Sequence, residues 1–392
     1  MTWTLRILLV ITASPLGACL WDRDTADLEP RGISLVEAVI AGRIPRYPAE
    51  YYEARLRRLT EVLQTRSDDW GAFDDAAVAC DRLGRLDEAI AWMERKRAAL
   101  DYAKGTAPEH WYRYRANLGT FHLHRWLSKG ANRSQMDDLQ LARDLLSACI
   151  ASNPWVASRQ ERAQLAFVEW LFNLTPLDPG KPLPCFADAE PNPLGVSSDW
   201  RSKVGDISES LCALIIHDGE PLRLDLLYAL CRSISSSGNQ SQAALAMLRV
   251  DDLVAAGGLS LVPGAPNGKG LQELLQRPNG MLDEGKTQAR VAVLADFKRI
   301  RRQANEWAKA RNDYILARLP LGRHPDTDQQ FWSQYTESPF EPAGDEERLE
   351  QQTSLLFILT TMGAALVILA ALGGFALYVT RRHVSVPTVK DV

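Results

Sequence analysis

The stretch WGAFDDAAVACDRLGRLDEAIAWMERKRAAL, Trp70 to Leu100, decides the fold. Small and apolar residues recur at three- and four-residue spacing on both sides of Gly84, so the stretch reads as two helices joined by a turn. Phe73, Ala76, Ala77 and Cys80 share one face of the first helix, and Ala89, Met93 and Lys96 follow at the same kind of spacing in the second. Small residues at a helix crossing let two antiparallel backbones approach while large neighbours fill the holes beside them. Strand-like alternation is scarce elsewhere, whereas helical spacing recurs from about Ser34 to Leu319. The body is expected to be all-α, and Ser34-Leu35-Val36-Glu37 has the form of a capping box opening its first helix.

The hairpin resembles the tetratricopeptide repeat, whose pattern alternates large and small residues through two helices and ends in Pro. Ala77 and Ala89 match its small positions, Phe73 and Met93 its large ones; Ala76, Cys80, Lys96 and Asp101 depart from it. A second copy has Leu118 and Gly119 as the Leu-small pair, with Arg115 and His122 as departures, then Ala142, Leu146, Cys149 and Pro154 in the small, large, small and Pro positions. Its turn, SKGANRSQMDD, is about eleven residues longer than the family's. A weaker copy in LLYALCRSISSSGNQSQAALAMLRV places Gly238, Ala243, Met247 and Val250 at the turn and second helix, and Tyr51 to Leu63 looks like half of an earlier one. The resemblance implies stacked helical hairpins, an α-solenoid, presenting a surface for a protein or peptide partner. A plain helical bundle is the alternative, and it is equally all-helical.

Repeat regions are thus expected over residues 34–172 and 200–256. The Pro-rich segment 173–199 between them reads as a long loop, and 257–270 as a second connection. Within residues 271–319, Val293, Phe297, Ile300, Ala304, Trp307, Arg311, Tyr314 and Arg318 fall on one stripe of a long closing helix. Pro320 to Gly344, with four Pro, opens an expected tether over 320–352.

That tether leads to LLFILTTMGAALVILAALGGFALYV, Leu355 to Val379, 25 residues without a charge. About 20 apolar residues suffice to cross a bilayer, so a transmembrane helix is expected here. GDEERLEQQ precedes it, and Arg381, Arg382 and His383 follow it, which assigns the tail 380–392 to the cytoplasm and the body to the other side. Ala370 and Gly374, with Gly363, give this helix small positions at which a homodimer would pack.

The N-terminus points the same way. Arg6 precedes the apolar run ILLVITASPL, and Gly17 and Ala18 close residues 1–18 as a secretory signal. Leu16-Gly17-Ala18-Cys19 resembles a bacterial lipobox, which implies Cys19 as a lipidated first mature residue; ordinary cleavage after Ala18 and an uncleaved second membrane segment are the alternatives. The expected location is a bacterial inner membrane with a periplasmic body. Five Cys remain without Cys19; Cys80, Cys149 and Cys231 read as buried thiols, and Cys185 with Cys212 as the one plausible disulfide.

With 392 residues, 46% apolar and 24% charged, the chain holds a real core, and eleven Trp favour a packed helical body. A net charge of -4 makes nucleic acid an unexpected partner. The basic run Lys298 to Arg302 contains Ile300 of the apolar stripe and reads as a solvated helix face. His122 and His124 lie about 200° apart on a helix and cannot share a metal, so His122 is expected to pack and His124 to be exposed. Asp74-Asp75 and Asp137-Asp138 read as solvated faces or first turns. No catalytic motif, nucleotide loop or zinc spacing is present, so neither catalytic nor cofactor nor metal residues are assigned. The leading expectation is a membrane-anchored binding scaffold of an envelope complex; a ligand-sensing membrane component and an envelope enzyme are the alternatives.

Overall fold

A computed structural model describes residues 20, 23, 32–103, 107–152, 159–188, 207–218, 223–278 and 287–344. Cys19, Pro154, the signal region and the apolar run 355–379 with Gly363, Ala370 and Gly374 lie outside them. Twelve α-helices are present among the described residues, packed as hairpins in chain order. They belong to one compact unit that extends to Phe340. None of them is long and apolar enough to cross a membrane.

Helix α1 (Leu35–Ala41) starts where Ser34 Oγ accepts the amide of Glu37 at 3.2 Å. The Glu37 carboxylate takes the Ser34 hydroxyl at 2.7 Å, a side-chain closure of the capping box in place of the expected second amide bond. Gly42, at φ 79°, ends the helix by turning its amide back to Ala38 and Val39. A left-handed residue is needed there, and only Gly adopts it without steric cost.

Helices α2 (Ala49–Thr65) and α3 (Trp70–Arg82) lead into α4 (Leu86–Tyr102), with Asp69 capping α3 through the Ala72 amide at 3.1 Å. Gly84 makes the turn between α3 and α4 at φ 73°. Next come α5 (Pro108–Ser128), opened by a proline whose missing N–H costs nothing at a first turn, and α6 (Asp137–Ser152). Helices α7 (Arg159–Asn173) and α8 (Ile207–Asp218) precede the hairpin of α9 (Leu224–Ser236) and α10 (Gln240–Ala255), and α11 (Gly268–Leu274) and α12 (Thr287–Leu316) follow.

The most extensive helix pairings are α5 with α6, α3 with α4 and α9 with α10. Links from α2 to α3, α4 to α5 and α6 to α7 join successive hairpins. The chain then returns on itself: α12 packs on α10, α1 and α2, while α1 also reaches α8. Val293, Phe297, Ile300, Ala304, Trp307 and Arg311 are the buried stripe of α12, with Tyr314 and Arg318 half-buried at its end.

Two expectations need correction. Residues 320–340 of the expected tether are packed: Phe331 is 1% exposed, Tyr314 donates to its carbonyl at 2.6 Å, and Trp332 stacks on Tyr314. Their aromatic side chains outweigh the prolines, because burying rings against α12 offsets the entropy of ordering the segment. The Cys185–Cys212 disulfide is not formed. All five described cysteines are free and buried, with Cys185 beside a 3-10 turn (Phe186–Asp188) that packs on α9, and Cys212 within α8. The 174–188 part of the expected loop is coil apart from this turn, and it is tied down by Leu183, whose amide bonds the Leu274 carbonyl at 3.0 Å.

Candidate functional site

The repeat residues come together at the hairpin crossings. Phe73 is buried beside Trp92, and Ala77, Ala89 and Met93 are fully buried between α3 and α4. On α5, Gly119 sits where a Cβ would come within 3.1 Å of Leu146, 3.3 Å of Leu145 and 3.4 Å of the Ala142 carbonyl. Gly119, Ala142 and Leu146 therefore form one close contact, with Leu118 buried next to it. Pro154 lies outside the described residues.

Polar residues run through the interior along α5. Asn117, Thr120 and His124 fall on one stripe and are all buried. Asn117 donates to Asp74 at 3.0 Å, Gln164 of α7 donates to Thr120 at 3.1 Å, and His124 Nδ1 meets Asp81 of α3 at 2.7 Å. Lys96 of α4 closes on Asp74 at 2.7 Å to both oxygens. Burial pushes the Asp74 carboxyl up to about 6 against the pull of the Lys96 ammonium, and burial likewise lowers Lys96.

This seam overturns two expectations. Asp74 and Asp75 are 1% and 3% exposed, and each is paired, Asp74 with Lys96 and Asp75 with Arg23 at 2.6 Å. His124 is buried rather than exposed, because Asp81 supplies a partner inside. His122 is buried as expected, against Asp138 at 2.8 Å; Asp138, in the first turn of α6, also takes Arg125 at 3.0 Å. Burial alone would raise Asp138, but hydrogen bonds from Arg125 and His122 bring it down to about 2. Charged residues inside a helical repeat are invisible to a reading that sends every charge to solvent. The signal that would find them is Lys96 itself, a charge at a position the repeat pattern reserves for packing.

Beside the seam, Thr120, His124, Gln164 and His217 share a cavity of about 10 Å³ with Leu123, Phe167, Leu214 and Leu226. That is room for one water. Burial lowers His217 to about 3, with Arg82 and Arg46 acting the same way, so it is neutral. A His with a carboxylate on Nδ1 has the form of a general base, but a substrate has no space here. No group of three or more His, Cys, Asp and Glu side chains among the described residues is placed to hold a metal.

A second cluster joins α2 to the segment that follows α12. Asp326 accepts Arg55 Nε at 2.9 Å, Tyr51 Oη at 3.1 Å and a guanidinium nitrogen of Arg58. His324 stacks on Tyr51 with ring centroids 4.5 Å apart and bonds its carbonyl at 3.2 Å. Burial alone would raise Asp326, but the hydrogen bond and charge of Arg55 bring it down to about 2. Nearby, Arg43 lies over Trp307 and Phe340 and donates to the Ser338 carbonyl. The basic run of α12 is likewise partly consumed inside: Arg301 donates to the Ala41 carbonyl and Arg299 pairs with Asp296 at 2.7 Å, leaving Lys298 and Arg302 exposed.

An open groove of about 380 Å³ with an apolar floor lies at the end of α7, lined by Trp170, Leu174, Pro182, Leu183, Pro184 and Cys185. Asn173, Thr175, Asp188 and Gln276 give it a polar, exposed rim. Phe167, Trp170 and Phe186 support it as a ring cluster, with centroid separations of 5.4 to 5.8 Å. An open apolar floor carrying the Trp170 ring, with polar groups at the edge, suits an extended peptide better than a small enclosed substrate. No protein-family model matches the chain, and no match was found for it among curated proteins or solved structures.

Proposed function

We propose that this chain is a membrane-anchored scaffold whose tetratricopeptide-like body binds a protein or peptide partner on the non-cytoplasmic side. The observation that carries the reading is the packing of hairpins in chain order with Gly119, Ala77 and Ala89 at their crossings, the arrangement on which repeat proteins build binding surfaces. The Trp170 groove is the docking place, and its occupant is an extended segment of a partner carrying apolar side chains or proline, the chemistry its Trp170 ring, prolines and polar rim favour. The uncharged run Leu355 to Val379 anchors the chain in a bacterial inner membrane, and the signal-like N-terminus, with Cys19 as its lipidation candidate, accounts for a periplasmic body. A photo-crosslinking residue at Thr175 or Gln276 in the full chain tests the binding reading in cells. A discrete adduct with one protein, reduced by a Trp170→Ala change, is expected. Background labelling alone at both positions would contradict it.

A further inference from the structure

One wall of the Trp170 groove is the run Pro182-Leu183-Pro184. Proline fixes its own φ and pushes the residue before it out of the helical region, so Lys181 to Pro184 is held extended. Burial alternates accordingly, with Leu183 buried and Pro182 and Pro184 exposed on either side of it. Successive residues of an extended chain face opposite ways. The Leu183 amide is spent on the Leu274 carbonyl at 3.0 Å, and the opposite edge falls to Pro182 and Pro184, which have no N–H. That edge carries acceptors and no donor. The donors of the groove are side chains instead. Trp170 is 8% exposed with its ring against Phe167 and Phe186, and its Nε1–H meets no acceptor among the described residues. At the exposed rim Asn173, Thr175 and Gln276 add two amides and a hydroxyl.

Resting on the reading of this groove as the docking place, we infer that its occupant is a proline-rich segment in polyproline II conformation, held by Trp170 Nε1–H donating to one of its backbone carbonyls. A polyproline II segment has no internal hydrogen bonds, so its carbonyls are free to accept, and its prolines bring no N–H that needs a partner. Side-chain donors at the floor and rim meet that requirement. A β-strand added along Pro182 to Pro184 would bring carbonyls that find no amide on this edge, and leaving them unpaired opposes binding. The apolar side of the ligand fits as well. With roughly three residues per turn, every third side chain returns to one face, where Trp170, Leu174 and the two prolines receive it. Such a segment is extended before it binds and loses little conformational entropy on docking.

Fluorescence anisotropy of labelled deca-L-proline, titrated with the purified full chain in detergent, tests this. Binding with a Kd below about 1 mM is expected. Deca-D-proline has the same composition and the opposite helix hand, and it should bind at least about fivefold more weakly. Replacing Trp170 by benzothienylalanine puts sulfur in place of the N–H and keeps the ring shape, and it should weaken the L-peptide by about three- to tenfold. Equal binding of the two hands, or no loss with benzothienylalanine, would overturn the inference. Tighter binding of an alternating Thr-Val decapeptide with lysine ends, a strand-forming ligand, would overturn it too while keeping the groove as a docking place. The same holds if deca-L-proline fails to bind a chain that still gives the Thr175 adduct in cells. Loss of both the adduct and peptide binding would remove the docking reading itself.

Discussion

Lys96 Nζ stands 2.7 Å from both carboxylate oxygens of Asp74, with the two side chains 0% and 1% exposed. An ion pair taken this far out of water is held at a desolvation cost close to its attraction, so its removal as a pair and its halving have different outcomes. Lys96→Met should destabilise the fold by about 3–5 kcal/mol, because Asp74 is left buried without its counter-charge. The double change Lys96→Met with Asp74→Leu should recover most of that loss. Urea unfolding of the body followed by tryptophan fluorescence measures both, and equal losses in the single and double variants would contradict the pairing.

Asp326 gives the pH dependence. Its folded carboxyl is brought down to about 2 from the ordinary 3.8, so the folded state binds fewer protons than the unfolded state between these values. The stabilisation is fully present above the unfolded value and is lost as pH falls through about 2. It amounts to on the order of 2 kcal/mol. Asp326→Asn should therefore be less stable at neutral pH and show a shallower fall in stability between pH of about 4 and 2. Parallel curves for the two proteins would refute the assignment.

Gly119 tests the hairpin crossing. Since a Cβ there meets Leu146, Leu145 and the Ala142 carbonyl at 3.1 to 3.4 Å, Gly119→Val should cost about 1–3 kcal/mol by overpacking. Gly119→Ala should fall near neutrality, since a helix-propensity gain of about 1 kcal/mol opposes tight contacts with Leu146 Cγ, Leu145 Cβ and the Ala142 carbonyl that must each give by a few tenths of an ångström. Thermal melts of the two variants distinguish the outcomes, and a Val variant as stable as the parent would remove the close approach.

The extent of legibility follows from which forces sequence periodicity reports. Helix type, the Gly84 turn and the small residues at Ala77, Ala89 and Gly119 were readable because apolar burial repeats with the helix period. Asp74, Lys96 and His124 were not, since their burial depends on partners from other helices that spacing within one helix does not reveal. The prolines of residues 320–344 point to a tether, but Phe331, Trp332 and His324 find ring and backbone partners on α12 and α2 that decide otherwise. The sequence shows the Trp170 groove only as a Pro-rich loop, because its floor combines Trp170 of α7 with residues 182–185 and its rim residues Asn173 and Gln276 stand more than a hundred positions apart.

Topology is the most direct test of the central claim, that a helical body outside the cytoplasm is anchored by the run Leu355 to Val379. A reporter active only outside the cytoplasm is inserted at the exposed turn around Gly130, or fused after Val392, in otherwise full chains. Activity at Gly130 with none after Val392 is the expected result. Activity after Val392, or none at Gly130 in a stably produced protein, would contradict it.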